Sequence, residues 1–208
     1  MARQESREFY KPERLLAFSD GVFAVAITLL VLDLRLPAEF AGDDDAGLRS
    51  ALLAMGPKLL IFAFTFLVIG IGWLGHHRKF NYIRRVDGGL LWLNLLYLLF
   101  LCLVPFVTSL LSEHSGRTSS IVYAGVMALL MLLSAGLSAY GLRAPYLSAP
   151  DLRPRARQDM IVSPFLTGVI FLASAALALG ERVSLAHWVL VLIVPASVWF
   201  GSRARKIA

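Results

Sequence analysis

Few residues in this chain could do chemistry where they stand. Ser19 and Asp20 interrupt an apolar run, His76 and His77 close a second run, and Asn94 falls one turn into a third, just after Trp92. A carboxylate and two imidazoles could exchange protons, hold a metal ion or bond to one another. An acid within a membrane-spanning helix is costly unless it has a partner or water. Asp20 lies about two turns in from Arg14, roughly 9 Å deeper at 1.5 Å per residue, near the interface and short of the bilayer centre. The positive end of the helix dipole favours a carboxylate there, so an acid that only satisfies the dipole is one reading. The other reading gives Asp20 partners. His76, His77 and Asn94 are expected at the same depth, which argues for one hydrogen-bonded network. Imidazole titrates near neutrality, which allows pH sensing; a structural clamp is the simpler role. Metal binding fits poorly, because adjacent histidines point in different directions around a helix.

The elements that must position these groups are set by composition. The chain has 208 residues, 58% of them hydrophobic and only 16% charged, with a mean hydropathy of +0.70. Average soluble domains carry roughly 25% charge, and one soluble core of this size could not hide so much apolar surface. A spanning helix needs about 20 apolar residues. Six candidates follow, at about 15–34, 52–74, 90–111, 121–142, 161–179 and 185–200. The chain reads as an all-α, single transmembrane domain, 1–208. Pro164 is expected in the first turn of the fifth helix, Pro57 and Pro105 could start or kink theirs, and Pro195 reads as a kink in the sixth. The first run follows a polar stretch, Met1–Arg14, without a small-residue cleavage site, and reads as a retained helix. Cys102 is the single cysteine and lies in an apolar run, so disulfide frameworks and thiolate metal sites within one chain are excluded.

The basic residues alternate by side. Arg3, Arg7, Lys11 and Arg14 precede the first helix; Arg78, Lys79, Arg84 and Arg85 follow the second. Arg143, Arg153, Arg155 and Arg157 follow the fourth, and Arg203, Arg205 and Lys206 follow the sixth. Only Arg35, Arg49, Lys58, Arg117 and Arg182 fall on the opposite side. The positive-inside rule then predicts cytoplasmic N- and C-termini in the cell membrane, with an even number of spans. The basic excess is a topology signal, so a nucleic-acid partner is not expected. Glu39, Asp43, Asp44 and Asp45 form an acidic outer loop, which near a pore mouth would concentrate cations.

At 100° per residue, Val25, Thr28 and Leu32 share one stripe of the first helix, with Leu29 beside it. Asp20 stands about 140° from Val25 and faces other helices of the same subunit. No GxGxxG, Walker loop or HExxH occurs, and the chain does not read as an enzyme. Small residues are dense in the fourth and fifth helices, as in Ala173–Ala176, which suits close helix packing in lipid. No span carries a continuous polar face, so an aqueous path would have to form between subunits around a symmetry axis.

The run Arg14…Phe18-Ser19-Asp20-Gly21, with Val25 and Thr28 after it, resembles the signature of the transmembrane protein 175 family of potassium channels. Trp73-x-x-His76, Leu91-Trp92-Leu93-Asn94 and Pro105-Phe106 are similar to its prokaryotic branch, and the resemblance covers roughly residues 10–110. It implies a homotetramer in the lipid bilayer, with the first helix of each subunit lining a central potassium pore and no cofactor beyond the permeant ion. It further implies that Val25, Thr28, Leu29 and Leu32 form the pore wall and hydrophobic constriction. Arg14, Phe18, Ser19, Asp20, Trp73, His76 and Asn94 would match a buried structural and gating network. Valine at position 25 is smaller than the isoleucine or leucine expected there, which allows the narrowest layer to move to Leu29 or Leu32. The carbonyl filter TVGYG of ordinary potassium channels is absent. A small secondary transporter is the rival reading. Such proteins usually carry repeats or broken helices around a midplane site, and neither is evident here.

Overall fold

Proline marks three of the helix starts. A computed structural model describes residues 10–36, 44–150 and 152–193. Pro12 opens α1 (Pro12–Leu29), which tightens into a 3-10 segment over Leu30–Asp33; Pro57 stands in the first turn of α3 (Gly56–Phe80), and Pro154 opens α6 (Pro154–Leu179). Proline lacks an N–H and has its φ preset for a helix, so it costs nothing at a first turn, where the N–H has no partner anyway. Between them lie α2 (Asp45–Ala54), α4 (Gly88–Glu113) and α5 (Arg117–Arg143), and α7 (Val183–Leu190) follows.

Five of these helices are long and apolar enough to cross a membrane: α1 with its 3-10 extension, α3, α4, α5 and α6. Only the start of the expected sixth span, 185–200, is seen: α7 begins at Val183, and residues from 194 on, with Pro195 and the C-terminal basic residues, lie outside the described residues. So do Arg3, Arg7, Glu39 and Asp43. Asp44 caps α2, its carboxylate accepting from the Gly47 amide at 2.9 Å.

Three expectations about helix limits need correction. The second span runs from Gly56 to Phe80 and not 52–74, because Pro57 cannot continue the α2 ladder and starts a new helix. Its end carries Lys79 into the protein: the side chain is 2% exposed, and its ammonium donates to the Ser134 carbonyl at 2.9 Å and the Ser134 hydroxyl at 3.0 Å. Lys79 is thus an internal tie between α3 and α5, not a loop charge. Pro164 sits well inside α6, since that helix starts ten residues earlier at Pro154, in a polar stretch that hydropathy alone passes over.

α5 is the central helix, packed against α4 on one side and α6 on the other, while α1 packs against α3 and α4. Gly168 sets the α5–α6 approach, since a Cβ there would lie 3.0 Å from Leu132 Cγ and 3.4 Å from the Ala128 carbonyl. At one end of the bundle the connecting segments are sewn together by backbone bonds. Tyr10 and Val86 exchange bonds at 2.7 and 3.0 Å; the Arg84 amide donates to Leu147 at 2.7 Å, and the Ala149 amide donates to Tyr82 at 2.8 Å. Asp87 caps α4, one carboxylate oxygen accepting from the Leu90 amide at 2.9 Å and the other from the Tyr140 hydroxyl at 2.9 Å.

Candidate functional site: the first helix and its anchor

The first helix has two opposed faces. Ser19, Phe23, Ala26 and Leu30 are buried against the subunit. Arg14, Phe18, Gly21, Val25, Thr28 and Leu32 are exposed on the other side, Val25 at 57% and Leu32 at 58%. Both sets recur at steps of four and three residues, so each returns after seven, and at 100° per residue the two stripes lie roughly 150° apart. Leu29 flanks the exposed stripe at 41%. An apolar stripe along the whole helix therefore faces away from its own subunit, flanked at the start by Arg14 and at the end by Arg35, whose Nε donates to the Leu32 carbonyl at 3.1 Å.

Thr28 interrupts the aliphatic part of this stripe. Its hydroxyl is a donor within its own helix, to the Ala24 carbonyl at 3.0 Å and the Val25 carbonyl at 2.9 Å. With its proton turned into the helix, the oxygen presents lone pairs outward. That makes it an acceptor layer between two apolar ones.

The buried face is fixed by polar bonds. Ser19 Oγ donates to the Leu15 carbonyl at 2.8 Å and accepts from Asn94 Nδ2 at 3.0 Å. The Asn94 Oδ1 faces His76 Nε2 at 3.0 Å. Ser19, His76 and Asn94 are all 0% exposed. Around the imidazole stand Phe80, Phe23 and Tyr97, with ring centroids at 4.6, 5.5 and 5.7 Å. Separately, Trp73 Nε1 donates to Asp20 Oδ1 at 2.8 Å, and the Trp73 ring lies 5.9 Å from that of His77.

The expected single network is therefore two anchors side by side. Ser19 and Asp20 are adjacent on α1 and point to different neighbours, so Asp20 meets Trp73 while Ser19 reaches Asn94 and, through it, His76. Arg14 and Phe18 depart from expectation in another way: both are exposed, Phe18 at 55%, because they continue the outward stripe of α1. Lys79, Asp87 and Tyr97 were missed in the sequence. Asp87-Gly88-Gly89 before an apolar run was a legible cap signal; Lys79 and Tyr97 gave none, since their burial depends on where α3 ends and how α4 rotates. Among the described residues, no three His, Cys, Asp or Glu side chains group as a metal site.

An all-helical, multi-pass membrane protein with an outward-facing stripe on its first helix defines the class. A family profile described as "Endosomal/lysosomal potassium channel TMEM175" matches residues 14–105, the stretch that carries both anchors and the stripe. A potassium channel of Streptomyces collinus is 40% identical over 154 residues, 71% of this chain and 73% of that protein. An endosomal/lysosomal proton channel TMEM175 of Gallus gallus is 35% identical over 111 residues, 51% of this chain but only 22% of its own length. The crystal structure of a lysosomal potassium-selective channel TMEM175 homologue from Chamaesiphon minutus superposes with a TM-score of 0.76 at 30% identity, covering 93% of this chain and 97% of that one. The chain belongs to the TMEM175 family, with bacterial members among its relatives.

Proposed function

We propose that this chain is a potassium channel of the cell membrane, a tetramer of identical six-span subunits with both termini in the cytoplasm. In this reading the α1 helices of four subunits surround the pore. The observation that carries it is the pair of opposed stripes on α1. One stripe is held in the subunit, and the other, apolar but for Thr28 between Arg14 and Arg35, is left without a partner along its whole length. A lipid-facing helix would not need polar anchors at Ser19 and Asp20 to fix its rotation. A helix presenting a pore wall does. The relative in Streptomyces collinus named a potassium channel, and the potassium-selective homologue of known structure, support the same permeant ion.

Mechanism follows from the layers. Val25, Leu29 and Leu32 form the constriction, and four aliphatic side chains at one level close a pore by dewetting when it is narrow. When it widens, an ion passes by shedding part of its hydration shell. The loss costs sodium more than potassium, because the smaller ion holds water more tightly. The outward lone pairs of Thr28 return part of that cost to an ion of fitting size. Asp20–Trp73 and Ser19–Asn94–His76 hold α1 in rotation and form the gating network, so a shift of α3 or α4 turns the pore wall. Arg14 and Phe18 stand at the inner mouth.

Flux into liposomes bearing the purified protein tests this reading. Potassium should enter well ahead of sodium and carry discrete single-channel steps. Proton flux belongs in the same assay, since the chicken relative is named a proton channel. Flux coupled at fixed stoichiometry without current steps would instead identify a transporter, and no flux of any ion would overturn the proposal.

A further inference from the structure

Two buried polar atoms where α3, α4 and α5 meet have no partner among the described residues: Nδ1 of His76 and the hydroxyl of Tyr97. Both side chains are 0% exposed. Their rings stack at 12° with centroids 5.7 Å apart. Protein interiors pair nearly all such atoms, with protein or with ordered water.

The missing roles are complementary. Ser19 Oγ spends its hydrogen on the Leu15 carbonyl, so toward Asn94 it can only accept, which fixes the Asn94 amide with Nδ2 toward Ser19. Asn94 Oδ1 then faces His76 Nε2, and a carbonyl oxygen only accepts, so Nε2 carries the ring hydrogen. Nδ1 of the neutral ring is left as an acceptor without a donor. The Tyr97 hydroxyl is a donor without an acceptor.

There is also room. Gly72 precedes His76 by one turn on the same face of α3, and helical side chains lean toward the N-terminus, so the imidazole leans over the Gly72 turn. A Cβ at Gly72 would meet only Tyr97 Oη at 3.8 Å and Met131 Cε at 4.0 Å. The position beside Gly72 is thus open next to the unpaired hydroxyl, with every His76 side-chain atom more than 4 Å from it. Lys79, the nearest cation on α3, is committed to Ser134.

We infer that a single water molecule is bound beside Gly72, accepting from the Tyr97 hydroxyl and donating to Nδ1 of His76. A buried water needs at least two polar partners, and the two unpaired atoms are an acceptor and a donor. The water completes a one-way chain of donors: Tyr97 to water, water to His76, His76 to Asn94, Asn94 to Ser19, Ser19 to the Leu15 carbonyl. The chain ties the rotation of α1 to α3 and α4 through polar bonds. The Asn94 amide accepts at its oxygen and donates from its nitrogen without taking up or releasing a proton, so the chain holds helices in place and does not conduct protons. None of this depends on which ion the protein passes.

Two measurements test it on the full-length protein. An experimental structure at a resolution that shows ordered waters should hold a density peak within hydrogen-bond distance of both atoms; Nδ1 and Oη in direct contact, or no peak, would overturn the inference. Nitrogen-15 spectra of the labelled histidines should report His76 as the Nε2–H tautomer with a hydrogen-bonded Nδ1. Tyr97→Phe removes the donor, and Gly72→Ala fills the space with a methyl group at ordinary contact distance. Both should shift the Nδ1 resonance toward that of an unbonded nitrogen, while Gly70→Ala, which meets nothing within 4 Å, should leave it in place. A shift in Tyr97→Phe alone would mean a direct bond and sink the water, as would a shift in neither.

Discussion

At the scale of single residues, the seven-residue recurrence on α1 separates side chains by task. Thr28 is the sharpest case, because its proton is already spent on the Ala24 and Val25 carbonyls and only its acceptor side faces outward. Thr28→Ala should lower the preference for potassium over sodium, read as a shift of the bi-ionic reversal potential; an unchanged potential would remove the hydroxyl from selectivity. Trp73→Phe leaves Asp20 without its 2.8 Å donor. Hydrogen bonds to charged groups contribute about 1.5–3 kcal/mol, and Asp20 is only half-buried, so the expected loss is about 1–2 kcal/mol. Thermal unfolding in detergent would record it. Legibility at this scale was uneven. Asp20, His76 and Asn94 stood out as polar groups in apolar runs, and common depth brought His76 and Asn94 together correctly. Depth could not say that Asp20 turns aside to Trp73, because partner choice depends on rotation about α1, which a depth argument does not contain.

Elements are governed by their ends. Apolar run length located α1, α3, α4, α5 and α6, since a spanning helix must be long and uncharged. It misjudged where helices start and stop, because polar turns such as Pro154–Met160 continue a helix outside the apolar stretch, and because Pro57 divides α2 from α3 inside one. Asp87 shows how much one end can hold: it caps α4 and also takes the Tyr140 hydroxyl of α5. Asp87→Ala should cost about 1–2 kcal/mol, mainly from the lost cap, because the hydroxyl of exposed Tyr140 can turn to other partners. Asp87→Asn should retain most of that stability, because its amide oxygen still accepts at the cap. If both variants melted like the parent, this junction would have no role in holding α4 to α5. The approach of α6 to α5 is close at Gly168, where a Cβ would crowd Leu132. Gly168→Val should destabilise by about 1–3 kcal/mol through overpacking against Leu132, measured by the same unfolding assay.

For the whole molecule, the alternation of basic residues is matched by the way the connecting segments at Tyr10, Arg84–Val86 and Leu147–Ala149 meet at one end of the bundle. The sequence shows which loops share a side, but not that they bond to one another, since isolated backbone bridges leave no pattern in residue type. Assembly is legible only as something missing: no span has a polar face of its own, and the α1 stripe is left over. In the proposed tetramer, intact mass in detergent should report four chains; a single chain would count against it. Leu32→Asn, which puts an amide into the proposed aliphatic layer, should raise resting conductance in liposomes; a conductance equal to the parent's would move the gate away from this level.

The spacing of the exposed stripe has a geometric consequence. Arg14, Phe18, Gly21, Val25, Thr28 and Leu32 repeat every seven residues, whereas an α-helix closes two turns in slightly more. A straight helix parallel to an axis would carry such a stripe off that axis by roughly 20° per heptad. Keeping it inward requires the helices to lean across one another with a left-handed winding. In the proposed tetramer, four leaning helices enclose an hourglass and not a cylinder, narrowest where they cross. The waist is then set by the height of the crossing as much as by side-chain bulk, so even the small Val25 could form the tightest ring if the crossing falls at its level.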